Sequence, residues 1–298
     1  MIIRLKPDMS RHSITDSPGR ASFILHERAP RFYGEGTDSL SIKSFYGGEA
    51  LYDVGCGKYR VGENNYLILN RGQHYSINID SETPVESFCI FFEDGMAEDV
   101  HYSLYTPSDK LLDNSEPPRI STIHFFEKTY PHDHRLSPAL FNFKTGILHY
   151  KTDSLWIREQ LGILVERMLA VHHGARLEIS SLSAIRAATR EELYRRLHRA
   201  KDFILASFEQ PISVDEMARA ACLSTNHFIR TFRQLFGQTP HQFLTAKRLE
   251  YSEKLLRQTE LPVTEICLMS GFESLGSFSS LFRNKKGISP DKYRRQKR

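Results

Sequence analysis

Asn226, Ile229, Arg230 and Arg233 recur at spacings of three, four and seven residues. On a helix they share one face, and Phe228, Phe232 and Leu235 share the other. A buried core has no use for an amide and two guanidinium groups. A DNA duplex does. Asn pairs with adenine edges and Arg with guanine edges, each bidentate contact giving about 1–3 kcal/mol of discrimination, and Ile packs on a thymine methyl. The bland alternative is a solvated surface helix. Against it stands a repeat fifty residues on, where Phe278 answers Phe228, Phe282 answers Phe232, Arg283 answers Arg233 and Gly287 answers Gly237. A unit repeated within one short basic region points to two copies of one binding device.

The elements that position these residues carry strong start and stop signals. Ser213 to Glu216 reads as a capping box opening a short helix, Val214–Ala221, whose alanines allow a second helix to cross closely. Cys222–Leu223 makes a turn, and Ser224 is placed to cap the next helix through its side chain. Thr239, Pro240 and Gln242 open a long connecting helix to about Arg257. A helix over Val263–Ser270, a turn at Gly271–Phe272 and a helix from Ser274 to about Lys285 form the second copy. Upstream, Thr189 to Glu192 reads as a capping box for a helix carrying Leu193, Leu197, Ala200 and Ile204. Arg195, Arg196 and Arg199 lie off that stripe, where they could approach phosphates.

Charge divides in the same place. Residues 189–298 hold 20 Lys and Arg against 12 Asp and Glu, a net of +8, whereas residues 1–188 hold 20 against 24, a net of −4. The asymmetry suits a polyanion-binding module at the C-terminal end. The four cysteines, Cys56, Cys89, Cys222 and Cys267, are scattered without a C-x-x-C pair, so neither a zinc site nor a disulfide framework is indicated. The first residues lack the apolar stretch of a signal peptide, and no apolar run is long enough for a membrane span, so the expectation is a cytoplasmic protein.

Residues 1 to about 40 are polar and interrupted by Pro7, Pro18 and Pro30, and read as an arm or loops. From Leu40 to Phe92 the period changes to two, with Tyr75, Ile77 and Ile79 on one face and Ser76, Asn78 and Asp80 on the other. Turn signals at short intervals, Thr83–Pro84 among them, argue for a small antiparallel sandwich or barrel with room for a ligand. Prolines 107, 117, 118, 131 and 138 break residues 93–152, and His132–Asp133–His134 reads as a solvated loop rather than a metal site. A helix capped by Asp153 or Ser154 carries Ile157, Leu161, Leu164, Val165 and Met168. It packs on the sheet or pairs with its copy in a second subunit, and His172–His173–Gly174 ends it.

The stretch Val263 to Arg294, with G-F-E-S, F-x-x-x-F-R, G-I-S-P and Y-R, resembles the signature of AraC/XylS-family transcription regulators. The likeness covers residues 189–298 and implies seven helices with two helix-turn-helix units joined by the long helix. It implies one recognition helix per unit, each in a major groove. Carried over by position, Asn226, Ile229 and Arg230 face bases in the first. Gly276, Ser279 and Ser280, with Ser277 beside them, take those places in the second. Ser277 and Ser280 are therefore weak base-facing candidates. Arg233, Arg283, Lys285, Lys286 and Arg294 are the phosphate partners this resemblance implies. Residues 1–152 more loosely resemble the family's cupin-like sensor and dimerisation domains: Gly62 to His74 is similar to a cupin's second motif, but the first motif's metal ligands are absent. His74 and Tyr75 are candidate effector contacts, and no metal or cofactor is inferred.

The expected architecture is therefore α+β. A cupin-like antiparallel β-barrel or sandwich spans 1–152, a helical connector 153–188, and an all-α domain with two helix-turn-helix units 189–298. The expected function is sequence-specific binding of promoter or operator DNA under small-molecule control. The resemblance adds a homodimer and RNA polymerase as partners. Two rivals are a metal-dependent cupin enzyme fused to a DNA-binding domain and a ligand-independent regulator. No nucleophile–base constellation supports an enzyme.

Overall fold

The computed structural model describes residues 2–3, 12–13, 21–55, 57–108, 122–150, 153–180, 182 and 186–296. They fall into two compact units, Met1–Arg195 and Arg196–Arg298.

The first unit is built on nine described strands: β1 Ile2–Ile3, β2 His12–Ser13, β3 Phe23–Thr37, β4 Ser41–Tyr46, β5 Glu49–Val54, β6 Gly57–Gly62, β7 Asn65–Leu69, β8 His74–Phe91 and β9 Thr129–Pro131. Their main path runs β1-β3-β8-β4-β7-β9, with β2 on β3 and the β5–β6 hairpin attached through β8. All pairings are antiparallel except the two-residue bridges of β1 and β2 to β3. The result is a nearly closed antiparallel barrel. Alternation drives it. In β5, Ala50, Tyr52 and Val54 are buried while Glu49, Leu51 and Asp53 are exposed. Tyr75, Ile77 and Ile79 of β8 join the same interior cluster with Phe45, Cys89 and Phe91.

Several expectations for this unit are corrected. Residues 23–37 are not part of a loose arm but a 15-residue strand that pairs with β8 along its length. Pro30 does not break it, because it sits where the register shifts between Ala29 and Arg31, a bulge that needs no ladder donor. Thr83–Pro84 is likewise not a turn, since β8 continues through it to Phe91. Pro138 opens a helix instead of breaking one, its missing N–H falling among donors the first turn leaves unpaired anyway.

Helices α1 Met96–Tyr105, α2 Ser137–Tyr150 and α3 Ser154–Ser180 complete the unit, and α4 Ala187–Ser207 leads out of it. Asp153 caps α3, its Oδ1 accepting from the amides of Leu155 and Trp156 at 3.0 Å each. Leu161, Leu164, Val165 and Met168 are buried in one cluster with Ile42, Tyr66, Phe88 and Ile90, so this face of α3 packs on the sheet. The helix does not end at Gly174 but runs six residues further to Ser180. Helix α4 starts at Ala187, two residues before Thr189, which therefore lies in its first turn and not at its cap.

In the second unit, α5 Val214–Ala220, α6 Thr225–Phe236, α7 Pro240–Gln258, α8 Val263–Met269, α9 Leu275–Lys286 and α10 Pro290–Gln296 follow the rest of α4. The boxes at Ser213/Glu216 and Thr239/Gln242 both form, and Gly237 and Gly287 close α6 and α9 in left-handed conformations. Leu249, Leu256, Ile266, Phe278, Phe282 and Tyr293 are buried as the core of the second copy.

Candidate nucleic-acid interface

Each copy is two short helices around a tight turn. In the first, Cys222 makes the turn with φ of 51°, and among the described residues it alone of the non-glycines has positive φ. Its amide bonds the Arg219 carbonyl, the Leu223 amide bonds Ala218, and Arg196 Nη1 donates to the Cys222 carbonyl at 3.1 Å. Arg196 thus braces the turn rather than standing free for phosphate. Thr225 Oγ1 donates to Asp215 at 2.6 Å, tying α6 to α5. Ser224 holds the cap position of α6 without a side-chain cap bond, so its sequence-expected capping bond is absent.

The same turn recurs with Gly271 in place of Cys222 and the Phe272 amide bonded to Cys267. The second copy carries one more residue before its outer helix, so the offset is 49 through the turn and 50 in the helix. Ser274 caps α9, accepting from the Ser277 amide at 3.1 Å, and its hydroxyl also bonds the Ser277 hydroxyl at 3.0 Å.

Phe228 and Phe232 are wholly buried, with rings 5.3 Å apart, and Phe232 also packs on Phe236 and Phe243. That fixes which way α6 faces. Asn226, Arg230 and Arg233 are exposed together and Ile229 is half-buried beside them. On α9, Phe278 and Phe282 are buried while Ser277, Ser280, Arg283 and Lys285 are exposed. The structure occupies two of the sequence-assigned cations. Lys286 is ion-paired with Glu253 of α7, and Arg294 donates to the Leu261 carbonyl at 2.5 Å. Glu253 also takes Arg257 at 2.5 Å and the Tyr293 hydroxyl, so one carboxylate ties α7 to α9 and α10. Burial raises its pKa, but the hydrogen bonds from Lys286 and Tyr293 outweigh it and leave it lowered.

Of the two effector candidates, His74 is exposed at the start of β8 and Tyr75 lines a recess in the barrel that opens to solvent. Sequence reasoning missed the charged centre of that recess. Lys43 is 1% exposed, and its Nζ donates to Asp38 Oδ2 at 3.3 Å, which also takes the Tyr75 hydroxyl. The available signal was a lysine in a short apolar strand, next to Ile42 and on the same face as Phe45. His132 and Asp133 have local tasks. His132 Nδ1 bonds Ser137, and Asp133 accepts from the Arg135 and Leu136 amides ahead of α2. Among the described residues no group of three or more His, Cys, Asp or Glu could hold a metal.

A model of a helix-turn-helix domain matches residues 217–296. Residues 217–296 thus form a helix-turn-helix domain. The chain is 25% identical to the probable transcriptional regulator LumQ of Photobacterium leiognathi, across 72% of this chain and 84% of LumQ. It is 36% identical to the transcriptional regulator ArgR of Pseudomonas aeruginosa, over 31% of this chain and 28% of ArgR, so the chain spans less than a third of that relative. Among solved structures, the AraC-type regulator of Chromobacterium violaceum is 31% identical, covering 38% of this chain and 96% of that one with a TM-score of 0.33. The DNA-binding domain of AdpA, solved with a target DNA, is 30% identical and covers 34% and 91%, also with a TM-score of 0.33. The protein carrying this helix-turn-helix domain is a transcription regulator.

Proposed function

We propose that the protein binds double-stranded DNA in a sequence-specific manner, with α6 reading base edges and α9 mainly holding the backbone. The observation that carries this is the outward stripe of α6, where Asn226 and Arg230 are exposed opposite two fully buried phenylalanines. Their amide and guanidinium reach adenine and guanine edges in a major groove. The short Ser277 and Ser280 side chains of α9 do not reach as far. Arg233, Arg283 and Lys285 supply the salt-sensitive phosphate contacts. Lys286 and Arg294 contribute less, because Glu253 and the Leu261 carbonyl already engage them.

The first unit is the sensor in this reading, and its effector occupies the barrel recess. Two copies of the chain then act together on DNA and communicate with RNA polymerase. An effector changes DNA binding only as far as its affinity differs between the two states of the protein. Mapping of bound sites across the source genome tests the reading. Recovery of one shared sequence motif supports it, and random coverage that follows only DNA abundance contradicts it.

A further inference from the structure

The barrel recess has more chemical character than a generic apolar hole. Its wall is dominated by Phe32, Phe45, Tyr52, Ile77, Ile79 and Phe91, and Lys43 projects its ammonium among them. The ammonium lies 3.7 Å from the centroid of the Phe91 ring and 4.9 Å from that of Tyr75. Among the described residues its oxygen partner is Asp38. A lysine ammonium carries three protons, so ring faces and one carboxylate leave it short of acceptors in a place water reaches poorly. A structural lysine at a packed site would be better replaced by an apolar residue, since a buried ion pair rarely repays its desolvation. The geometry instead suits an ammonium kept for an oxygen that arrives with a ligand.

The charges around it select the kind of oxygen. Asp38 already balances Lys43, and it stands behind the wall while Lys43 and Tyr75 form part of it. Glu27 also lines the recess, paired across the sheet with Ser87, two residues along β8 from the Cys89 that pairs with Lys43. Because Asp38 already neutralises Lys43, a ligand carboxylate would bring an unbalanced charge into a poorly solvated space. A neutral oxygen adds no charge and accepts the same hydrogen bond. Resting on the sensor reading of this unit, we propose that the recess binds an uncharged, mainly apolar molecule, aromatic or alicyclic, whose carbonyl or hydroxyl oxygen accepts a hydrogen bond from Lys43.

Three probes of similar shape separate the alternatives: acetophenone with a neutral oxygen, ethylbenzene with none, and benzoate with a charge. Calorimetric titration of the full chain should show acetophenone binding about tenfold or more tightly than either of the others. In the double variant Lys43→Met with Asp38→Asn, which removes both charges together and leaves no unpaired carboxylate, acetophenone and ethylbenzene should bind alike. The single variant Lys43→Met is the less secure test, because it strands Asp38. Tighter binding of benzoate than of acetophenone overturns the proposal, as does a preference for acetophenone that survives in the double variant. Failure of all three probes at millimolar concentration overturns it too. If acetophenone binds as expected yet leaves affinity for DNA unchanged, the recess keeps its ligand class and the sensor reading falls instead.

Discussion

Replacing Glu253 with Gln should weaken the protein and strengthen its grip on DNA at the same time. The carboxylate takes Lys286, Arg257 and the Tyr293 hydroxyl, and joins the connecting helix to both later helices of the second copy. Gln keeps the size and one acceptor oxygen but loses the charge. The Glu253 side chain is 17% exposed, so solvent screens the site, and the cost is about 1 kcal/mol rather than the several expected of a dry ion pair. For a cooperative unit of about 100 residues that lowers the melting temperature by about 4–8 °C. The released Lys286 becomes available to phosphate, and one added phosphate contact steepens the dependence of log K on log salt by about 0.9. Thermal unfolding and fluorescence anisotropy on a duplex of arbitrary sequence, at several salt concentrations, measure both effects. An unchanged melting temperature together with an unchanged salt slope would refute the role assigned to Glu253 and the placement of Lys286 beside the DNA-facing surface.

Gly271→Ala should cost far more than Gly237→Ala in thermal unfolding. Both positions have positive φ, about 1–2 kcal/mol of strain for Ala, but only at Gly271 would the new carbon meet the Phe208 carbonyl oxygen at 2.6 Å; equal melting temperatures would contradict this. His172 is 9% exposed, stacked on Phe126 at 5.0 Å, and burial, helped by the nearby arginines, pushes its pKa down to about 4. The unfolded chain binds that proton more readily, so the stability it confers is complete above about pH 6.5 and is lost as pH falls toward about 4. Denaturant midpoints taken across that window should fall with pH in the native protein and fall less in His172→Gln.

The two helical copies were legible in the sequence because every level agrees there. Caps at Ser213 and Thr239, glycines at 237 and 287 and paired phenylalanines at helical spacing all specify one arrangement. The sheet was harder to read wherever a local signal was overridden by pairing. Pro30 and Pro84 look like breaks, yet long-range pairing between β3 and β8 carries both strands past them. Pro138 looked like an interruption because a helix start and a break share the same residue. The Lys43 centre was invisible for a different reason. Its partners are Asp38 from the β3–β4 connection and Tyr75 and Phe91 from the two ends of β8, and only the pairing of the sheet brings them to Lys43. Likewise, nothing in the tail sequence shows that Lys286 and Arg294 have partners within the protein, since Glu253 lies on α7 and Leu261 in the connection that follows it.

Selection of binding sites from randomised duplexes, run in parallel with the native protein, Arg230→Ala and Ser280→Ala, tests the division of labour between the two outer helices. The native protein should yield a defined motif. Arg230→Ala should lose preference at one guanine-containing position, by about 1–3 kcal/mol of discrimination, while Ser280→Ala should keep the motif intact. Equal relaxation of the motif by the two variants, or no motif from the native protein, would contradict base reading concentrated in Thr225–Phe236.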